Sequence, residues 1–242
     1  MATNNRKLMF KQLAQTVNKG IPSLIPPIDK HLTLIQTPNK PDGFIHPSSI
    51  SKCARYMWFW MNMEPYSNYQ PHSPQLQRIF DNGKAVEMMM LKRYHYEMGV
   101  MVDEETMTPN NPYRVRGRCD AIHYSDGLYR IVDYKTANSY SFENLSMTMP
   151  KYHYQISAYM WLLNINVGTI LYYNKNTSEL AESTIEAGHP DYKRSLEYIA
   201  EYNHNFDNKI IPDVSTIRKS CTNSSCPYFD TCMKYPESSV KC

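Results

Sequence analysis

The chain has 242 residues, of which 42% are hydrophobic and 20% charged, so it is long enough to bury a substantial core and has the composition of an ordinary globular protein. Its formal net charge of +3 is too small to indicate a nucleic-acid partner by itself. No apolar run approaches the ~18 residues of a membrane span, and the N-terminal residues lack the apolar core of a signal peptide. We therefore expect a cytoplasmic protein without a membrane partner, whose six cysteines serve some purpose other than disulfides.

Residues 1–47 are predicted to form an N-terminal arm. Residues 1–20 have the pattern of a short basic amphipathic helix, and residues 21–47 carry six prolines with little periodicity, which favours an extended segment. Such an arm would wrap the domain or meet a partner protein. A merely disordered leader is the alternative.

Two helices are predicted between residues 48 and 98. Serines at positions 48, 49 and 51 precede an aromatic-rich run, which is typical of a serine N-cap followed by a helix. The second helix should span about Gln75 to Met98. Its apolar residues recur every three or four positions and predict a buried stripe; these residues are Leu76, Ile79, Phe80, Gly83, Met90 and Tyr94.

Glu87 falls on the same stripe of the second helix. Because burying a carboxylate costs several kcal/mol unless it is paired or bound to a metal, Glu87 is predicted to need a cation. The alternative is a position at the edge of the stripe, where the carboxylate reaches water.

The stretch from Tyr113 to Thr136 predicts two strands joined at Asp126-Gly127, the strongest short hairpin signal that a sequence offers. A two-residue turn there places Ser125 opposite Leu128. This register fixes which side chains face one another along the rest of the hairpin.

The hairpin register brings three charged side chains together. Counting back from the turn puts Asp120 opposite Asp133, and period-two alternation puts Lys135 on the same face as Asp133. Directly opposed like charges destabilise a sheet, so this arrangement makes little sense as packing. It predicts a divalent-metal site with a catalytic lysine. A solvated sheet face with ordinary charges is the alternative.

The elements after the hairpin complete a sandwich. A polar connection over residues 137–149 leads to a helix opened by Pro150, then to a buried strand, an edge strand and an amphipathic helix. The last three are predicted at Gly168–Tyr173, Glu182–Glu186 and Asp191–Phe206. The order predicts an α/β fold with a mixed central sheet flanked by helices.

The ordered set of Glu87, Gly117-x-x-Asp120, Asp133-x-Lys135 and Gln155-x-x-x-Tyr159 resembles the PD-(D/E)XK nuclease superfamily, more narrowly the RecB-type exonucleases, which include CRISPR-associated and phage enzymes. The resemblance runs from about Ser48 to Cys232. It implies a restriction-endonuclease-like core over residues 48–210, with an N-terminal arm at 1–47 and a Cys-rich C-terminal segment at 211–242.

By this resemblance, Asp120 and Asp133 hold Mg²⁺ or Mn²⁺, and the backbone carbonyl of Tyr134 is a further ligand. Glu87 lies four residues after a glycine, where many relatives have a histidine ligand. A carboxylate at this position favours oxygen-loving metals such as Mg²⁺.

The resemblance also implies that Lys135 orients or deprotonates the attacking water, and that Gln155 and Tyr159 touch the DNA backbone or support the lysine. Three arginines precede Asp120 at alternate positions of the predicted first strand and share its face, so they would lead a phosphate backbone toward the metals. They are Arg114, Arg116 and Arg118.

The C-terminal segment contains three cysteines within twelve residues, and a fourth lies far upstream; the four are Cys53, Cys221, Cys226 and Cys232. Iron–sulfur RecB-type nucleases have a similar distribution, which implies a [4Fe–4S] cluster, although their first two clustered cysteines usually sit closer together. A structural Zn²⁺ on the same thiolates, or free thiols, are the alternatives. The site would clip the C-terminal segment, which is poor in apolar residues, to the N-terminal helix. Cys119 is predicted to pack in the core and Cys242 to be a weak alternate ligand.

These features predict a metal-dependent DNA exonuclease of recombination, repair or processing, of phage or CRISPR-associated type, in the cytoplasm of a bacterium or an infected host. Its substrate would be linear or single-stranded DNA ends, and its N-terminal arm would contact a recombination or replication protein. A low-specificity endonuclease and a non-catalytic DNA-binding subunit with a nuclease fold are the alternatives. The complete acidic and lysine set argues against the latter, since a binding-only relative need not keep it.

Overall fold

The computed structural model describes residues 24–36, 39–95, 101–104, 110–125, 127–147, 149–213 and 226–235. The chain divides into two compact units. The smaller takes its described residues from 1–38 and 71–80, and the larger from 39–70 and 81–242. None of the described helices is both long and apolar enough to cross a lipid bilayer.

The smaller unit corrects the prediction of an extended arm, because residues Ile25–Leu34 form helix α1. Two prolines lie in its first turn, where proline costs no hydrogen bond, so they mark the start of a helix rather than an extended chain. Gln36 ties this segment to the other part of the unit: its side chain donates to the His72 carbonyl at 2.9 Å and accepts from the His72 N–H at 2.7 Å. Asp29 and Arg78 form an ion pair.

The next long helix, α3 (Pro74–Met89), follows a short aromatic helix α2 (Ala54–Met61) and continues as a π-helical turn over Met90–His95. The predicted buried stripe holds only beyond α3: Met90, in the π-helical turn, is buried, whereas no described residue of α3 is, and Ile79 and Phe80 are 45% and 49% exposed. Periodicity finds the apolar face of a helix and cannot say how much of that face is covered. Tyr94 and the predicted end at Met98 lie outside the described side chains.

A five-stranded mixed sheet forms the centre of the larger unit, in the order β1-β2-β3-β4-β5. Strands β3 and β4 are parallel and all other neighbours are antiparallel. The strands are β1 Met101–Glu104, β2 Ala121–Ser125, β3 Leu128–Ala137, β4 Val167–Asn174 and β5 Leu180–Glu186. The mixed sheet is therefore confirmed, and β1 is an addition that the sequence did not indicate.

The hairpin register is confirmed, since Ser125 pairs with Leu128. Gly127 has φ +78°, as a tight turn requires, and Asp126 lies outside the described residues. The first strand is shorter than predicted, because the segment before Ala121 departs from the ladder. Val115 bridges Ile45 instead, and Arg114 has φ +51°.

Helices cover the sheet on both faces. The predicted connection at 137–149 contains a short helix α4 and a 3₁₀ turn, followed by two long helices near their predicted positions. The elements are α4 Ser139–Glu143, the turn Leu145–Met147, α5 Met149–Leu163 and α6 Pro190–Asp207. On one face Ile131 and Ile170 pack against α5, and on the other Val132 and Tyr134 pack against Met90.

Helix α5 approaches the sheet closely at Gly168. A Cβ atom added there would lie 2.7 Å from Met160 Sδ and 2.9 Å from Ile156 Cγ1, so any larger residue would force these side chains to move. This close packing sets the height of α5 above the neighbouring strand β3, and therefore the reach of its polar side chains toward that strand.

Candidate active site

Asp120 and Asp133 are brought together by the end of the β2–β3 ladder. Asp120 immediately precedes β2, whose Ala121 pairs with Val132, and its Oδ2 accepts a hydrogen bond from the Tyr134 N–H at 2.9 Å. Asp133 is 1% exposed. The carboxylate pair predicted from the hairpin count is therefore present on one sheet face.

Two side chains hold Asp133 in place. Gln155 Nε2, from α5, donates to Asp133 Oδ1 at 3.0 Å, and Lys135 Nζ lies 2.5 Å from Asp133 Oδ2. The Lys135 ammonium also lies 5.3 Å from the centre of the Tyr152 ring, a cation–π distance. Tyr152 was not among the predicted site residues; its position on α5, one helical turn before Gln155, was the available signal.

The site carries excess negative charge. Burial, and then the neighbouring Asp133, raise the pKa of Asp120 to about 7, against the lowering effect of Lys135; Glu87 adds a further increase. Burial alone would lower the pKa of Lys135, but Asp133 and Asp120 outweigh it and raise that pKa. The charge of Glu87, from α3, therefore acts on Asp120, while Lys135 is paired with Asp133.

Gly117 and Tyr159 shape the segment that leads to Asp120. A Cβ atom on Gly117 would lie 2.7 Å from Pro47 Cδ and 3.1 Å from Tyr159 Cε1, so the motif glycine permits a close passage of the chain. The Tyr159 hydroxyl donates to the Arg118 carbonyl at 2.9 Å, and Tyr159 is buried. Tyr159 therefore supports the backbone before Asp120, and its burial does not suit the predicted contact with DNA.

The three arginines do not lie along one strand face, since their segment is outside the ladder. Arg114 forms an ion pair with Asp207 at 2.9 Å and donates to Asn203 Oδ1 at 3.0 Å, which makes it a structural residue that joins its segment to α6. Arg116 and Arg118 are exposed. The prediction of a common face is wrong for Arg114, because the backbone turns at that residue.

Three of the four predicted cluster cysteines are described, and Cys226 and Cys232 pack against the hydrophobic cluster to which α2 belongs. Cys53 is the N-cap of α2, and its sulfur accepts from the Tyr56 N–H at 3.3 Å. Burial and then the neighbouring Tyr66 raise the pKa of the Tyr56 hydroxyl, and Cys226 and Cys53 add smaller increases. Cys232 Sγ lies 3.8 Å from the buried Arg55 guanidinium. Cys119 is buried in the core as predicted, and Cys221 and Cys242 lie outside the described residues.

The C-terminal segment docks more firmly than its composition suggested. Tyr228 is fully buried and its ring contacts Tyr56, Phe59 and Tyr66 at centroid distances of 5.1–5.3 Å. The Pro227 carbonyl accepts hydrogen bonds from Ser67 and Asn68 at 3.0 and 2.9 Å. One aromatic residue therefore packs the described part of this segment, which is poor in apolar residues, against α2.

Comparisons with known proteins identify the family and the fold. A family model described as the PD-(D/E)XK nuclease superfamily matches residues 69–233, more than half of the chain. Among solved structures, an alkaline exonuclease from Laribacter hongkongensis has a similar fold, with a TM-score of 0.53 and 15% identity over 75% of this chain and 94% of that chain. A phage-related exonuclease from Haemophilus somnus 129PT has a TM-score of 0.51 and 14% identity over 69% and 95%. A search of curated proteins finds no match.

Proposed function

Since the chain belongs to the PD-(D/E)XK nuclease superfamily, we propose that it is a metal-dependent DNA exonuclease that acts on linear or single-stranded ends in recombination, repair or processing. The observation that carries the proposal is the convergence of Asp120, Asp133 and Lys135 at one end of the β2–β3 ladder. The exonuclease activity named for the two structural neighbours belongs to those proteins and makes it the first activity to test here.

The residues at this position fit a divalent cation. The carboxylates of Glu87, Asp120 and Asp133 outnumber the Lys135 ammonium, and the pKa of Asp120 is raised to about 7 because its carboxyl group is buried and faces Asp133. Carboxylate oxygens are the ligands that Mg²⁺ and Mn²⁺ prefer. We assign Glu87, Asp120 and Asp133 as side-chain ligands, with the Tyr134 carbonyl as a further oxygen.

A cation at this position supplies positive charge to the scissile phosphate and lowers the pKa of a nearby water. The protein contributes position and charge. Lys135 remains an ammonium in the described geometry, since the aspartates raise its pKa, and it would donate hydrogen bonds to a phosphate oxygen or orient the attacking water. Gln155 keeps Asp133 in its ligating orientation. Arg116 and Arg118 would contact the DNA backbone.

The test compares end-labelled linear DNA with closed circular DNA, in single- and double-stranded form, in Mg²⁺, Mn²⁺ or chelator. Asp133→Asn should abolish cleavage because it removes one ligand charge, and Lys135→Met should reduce it by about 10²-fold or more. Asp230→Asn, an exposed carboxylate on the short helix α7 (Phe229–Met233), and Lys193→Met, an exposed lysine on α6, are the matched controls.

The substrate that is digested decides among the candidate activities. Digestion of linear DNA alone supports the exonuclease, and cleavage of closed circles would replace it with an endonuclease. Full activity of Asp133→Asn, with circular dichroism showing a native fold, would remove the proposed site. Binding of DNA without cleavage in any metal would leave the non-catalytic subunit.

We further propose that Cys53, Cys221, Cys226 and Cys232 ligate a [4Fe–4S] cluster. The support is that Cys53 is the N-cap of α2, that Cys232 Sγ lies 3.8 Å from the buried Arg55 guanidinium, and that Cys226 and Cys232 pack against the same hydrophobic cluster as α2. A buried cation needs compensating negative charge, which thiolate ligands supply. Anaerobically purified protein should be brown and contain about four irons. One zinc and no iron would replace the cluster with a structural zinc site on the same thiolates.

A further inference from the structure

A second group of metal-binding side chains lies away from the nuclease residues, where α5, β5 and the start of α6 meet. One nitrogen of His153, one of His189 and one oxygen of Asp191 all lie within 4.8 Å of one another. His153 Nδ1 is 2.7 Å from Asp191 Oδ2, and His189 Nδ1 is 3.8 Å from the same oxygen. We infer that these three residues bind a Zn²⁺-type transition-metal ion.

The helix geometry separates this group from the nuclease site. His153 and Gln155 both belong to α5, and residues two apart on a helix point about 200° apart. Gln155 faces Asp133 on β3, whereas His153 faces Ser183 on β5 and Asp191 on α6. The same helix therefore presents one polar residue to each of two sites.

The donor chemistry selects a transition metal. Two imidazoles and one carboxylate form a common ligand set for zinc, whereas Mg²⁺ and Ca²⁺ prefer oxygen ligands only. With neutral imidazoles the three residues carry a single negative charge, so a divalent ion is not over-neutralised. A water molecule would complete a four-coordinate ion, because three protein ligands leave one position open.

A supporting hydrogen bond is already in place behind His153. His153 is 8% exposed, and its Nε2 lies 2.8 Å from Ser183 Oγ. A metal-binding imidazole normally uses its other nitrogen for such a bond, which fixes the ring and its tautomer. Ser183 thus leaves Nδ1 of His153 for Asp191 or for an ion between them.

The opening of the site is at His189. The His189 side chain is 40% exposed, which gives an ion a route to the buried His153. His189 is also the N-cap of α6, and its Nδ1 accepts from the Asp191 N–H at 3.1 Å, so an ion bound to that nitrogen would replace this hydrogen bond. An ion bound here would fix the first turn of α6 to α5 and β5, so its effect would be to stabilise this corner of the larger unit.

The test measures zinc binding by the full, tag-free chain after treatment with chelator. His189→Asn removes one imidazole but retains a good N-cap residue. His204→Asn makes the same change in the last turn of α6 and is the matched control. Wild type and His204→Asn should bind one more Zn²⁺ than His189→Asn, and zinc should raise their melting temperatures further. Zinc held by the cysteines or the nuclease carboxylates is common to all three proteins and cancels.

Ser183→Ala should weaken binding of this extra ion about tenfold, since it removes only the bond behind His153. Histidine-ring NMR of the wild type gives a measurement that needs no variant: zinc should shift the ring signals of two of the eight histidines. Equal zinc stoichiometry and affinity in wild type and His189→Asn would overturn the site. A zinc titration that moves no histidine signal would also overturn it, because the zinc would then be held by thiolates or carboxylates alone.

Discussion

Gln155 on α5 donates a 3.0 Å hydrogen bond to Oδ1 of Asp133 on β3, and this bond joins the helical layer to the candidate metal site. Gln155→Leu has nearly the same size and cannot donate. We expect it to weaken Mn²⁺ binding and cleavage by about 10- to 100-fold, as for other residues that orient a metal ligand. Calorimetry and the DNA cleavage assay measure both effects. Gln70→Leu, at an exposed position, is the control, and unchanged Mn²⁺ affinity in Gln155→Leu would contradict the role.

The acidity of Asp120 predicts how the metal-free protein responds to pH. Burial and the neighbouring Asp133 raise the pKa of Asp120 from 3.8 to about 7. Between these values the folded state keeps a proton that the unfolded state has lost, so the free energy of unfolding falls as pH rises, by at most about 1.4 kcal/mol per unit from this group. The stabilising proton is fully present below about pH 4 and is lost as pH rises through about 7.

The measurement is urea unfolding in chelator across this range of pH, for wild type and Asp120→Asn. The difference between the two proteins isolates Asp120, and it should change with pH in the stated direction. Added Mg²⁺ should restore stability at the upper end, since the cation replaces the proton. A difference that does not vary with pH would refute the raised pKa.

Substitution by alanine should have opposite effects on stability at Gly117 and at Gly83. Gly117→Ala places a methyl group 2.7 Å from Pro47 Cδ, so we expect a loss of about 1–3 kcal/mol of stability and displacement of Asp120. Gly83→Ala, inside α3, meets Thr136 Oγ1 at an ordinary 3.6 Å and should gain about 0.5–1 kcal/mol from helix propensity. Denaturant unfolding compares them, and equal effects would disprove the close passage at Gly117.

The buried Tyr228 ring is expected to stabilise the docking of the C-terminal segment. Tyr228→Ala removes a fully buried ring from the aromatic cluster with Phe59 and Tyr66 and should cost about 3–5 kcal/mol. Tyr228→Phe should be nearly neutral, because the buried hydroxyl has no hydrogen-bond partner among the described residues. Urea unfolding and limited proteolysis after residue 212 report on the change. A large loss in Tyr228→Phe would show that the hydroxyl, not the ring, holds the segment.

The arginines predict separate effects on binding and on folding. Arg116→Ala and Arg118→Ala, each made in the inactive Asp133→Asn protein, should weaken DNA binding. Each should also reduce the slope of log affinity against log salt concentration, by about one for each phosphate that the variant no longer neutralises. Arg114→Ala should instead lower stability, since Arg114 pairs with Asp207 and Asn203. Binding titrations at several salt concentrations test this, and an unchanged slope in both exposed variants would exclude their contact with DNA.

Local signals predicted the centre of this molecule and failed where the chain departs from regular pairing. The Asp-Gly turn sets the register that joins Asp120 to Asp133, because a two-residue turn leaves no freedom in counting. The same counting put Arg114 on the strand, and it failed because a residue with φ +51° ends the alternation there. Long-range partners were also invisible: nothing near Tyr228 indicates that it packs on α2.

Some site residues could be placed from local sequence patterns, and others depend on distant elements of the fold. Lys135 lies two positions after Asp133, so alternation alone places it. The roles of Gln155 and Tyr159 depend on how close α5 lies to the sheet, which Gly168 determines from another element. The group of His153, His189 and Asp191 comes from two elements separated by two strands, and no spacing in the sequence connects them.

The burial of Tyr228 against α2 also bears on the order in which the protein can assemble during synthesis. Helix α2 is synthesised early and has an aromatic face. The Tyr228 ring, which covers Tyr56 and Phe59, is translated only after the sheet and helices α5 and α6. Until then the nascent chain displays an uncovered aromatic surface of the kind that invites aggregation or chaperone capture. A message truncated before codon 228 would therefore yield a product with every nuclease residue present and an unclosed aromatic cluster, a substrate for quality control rather than a working enzyme.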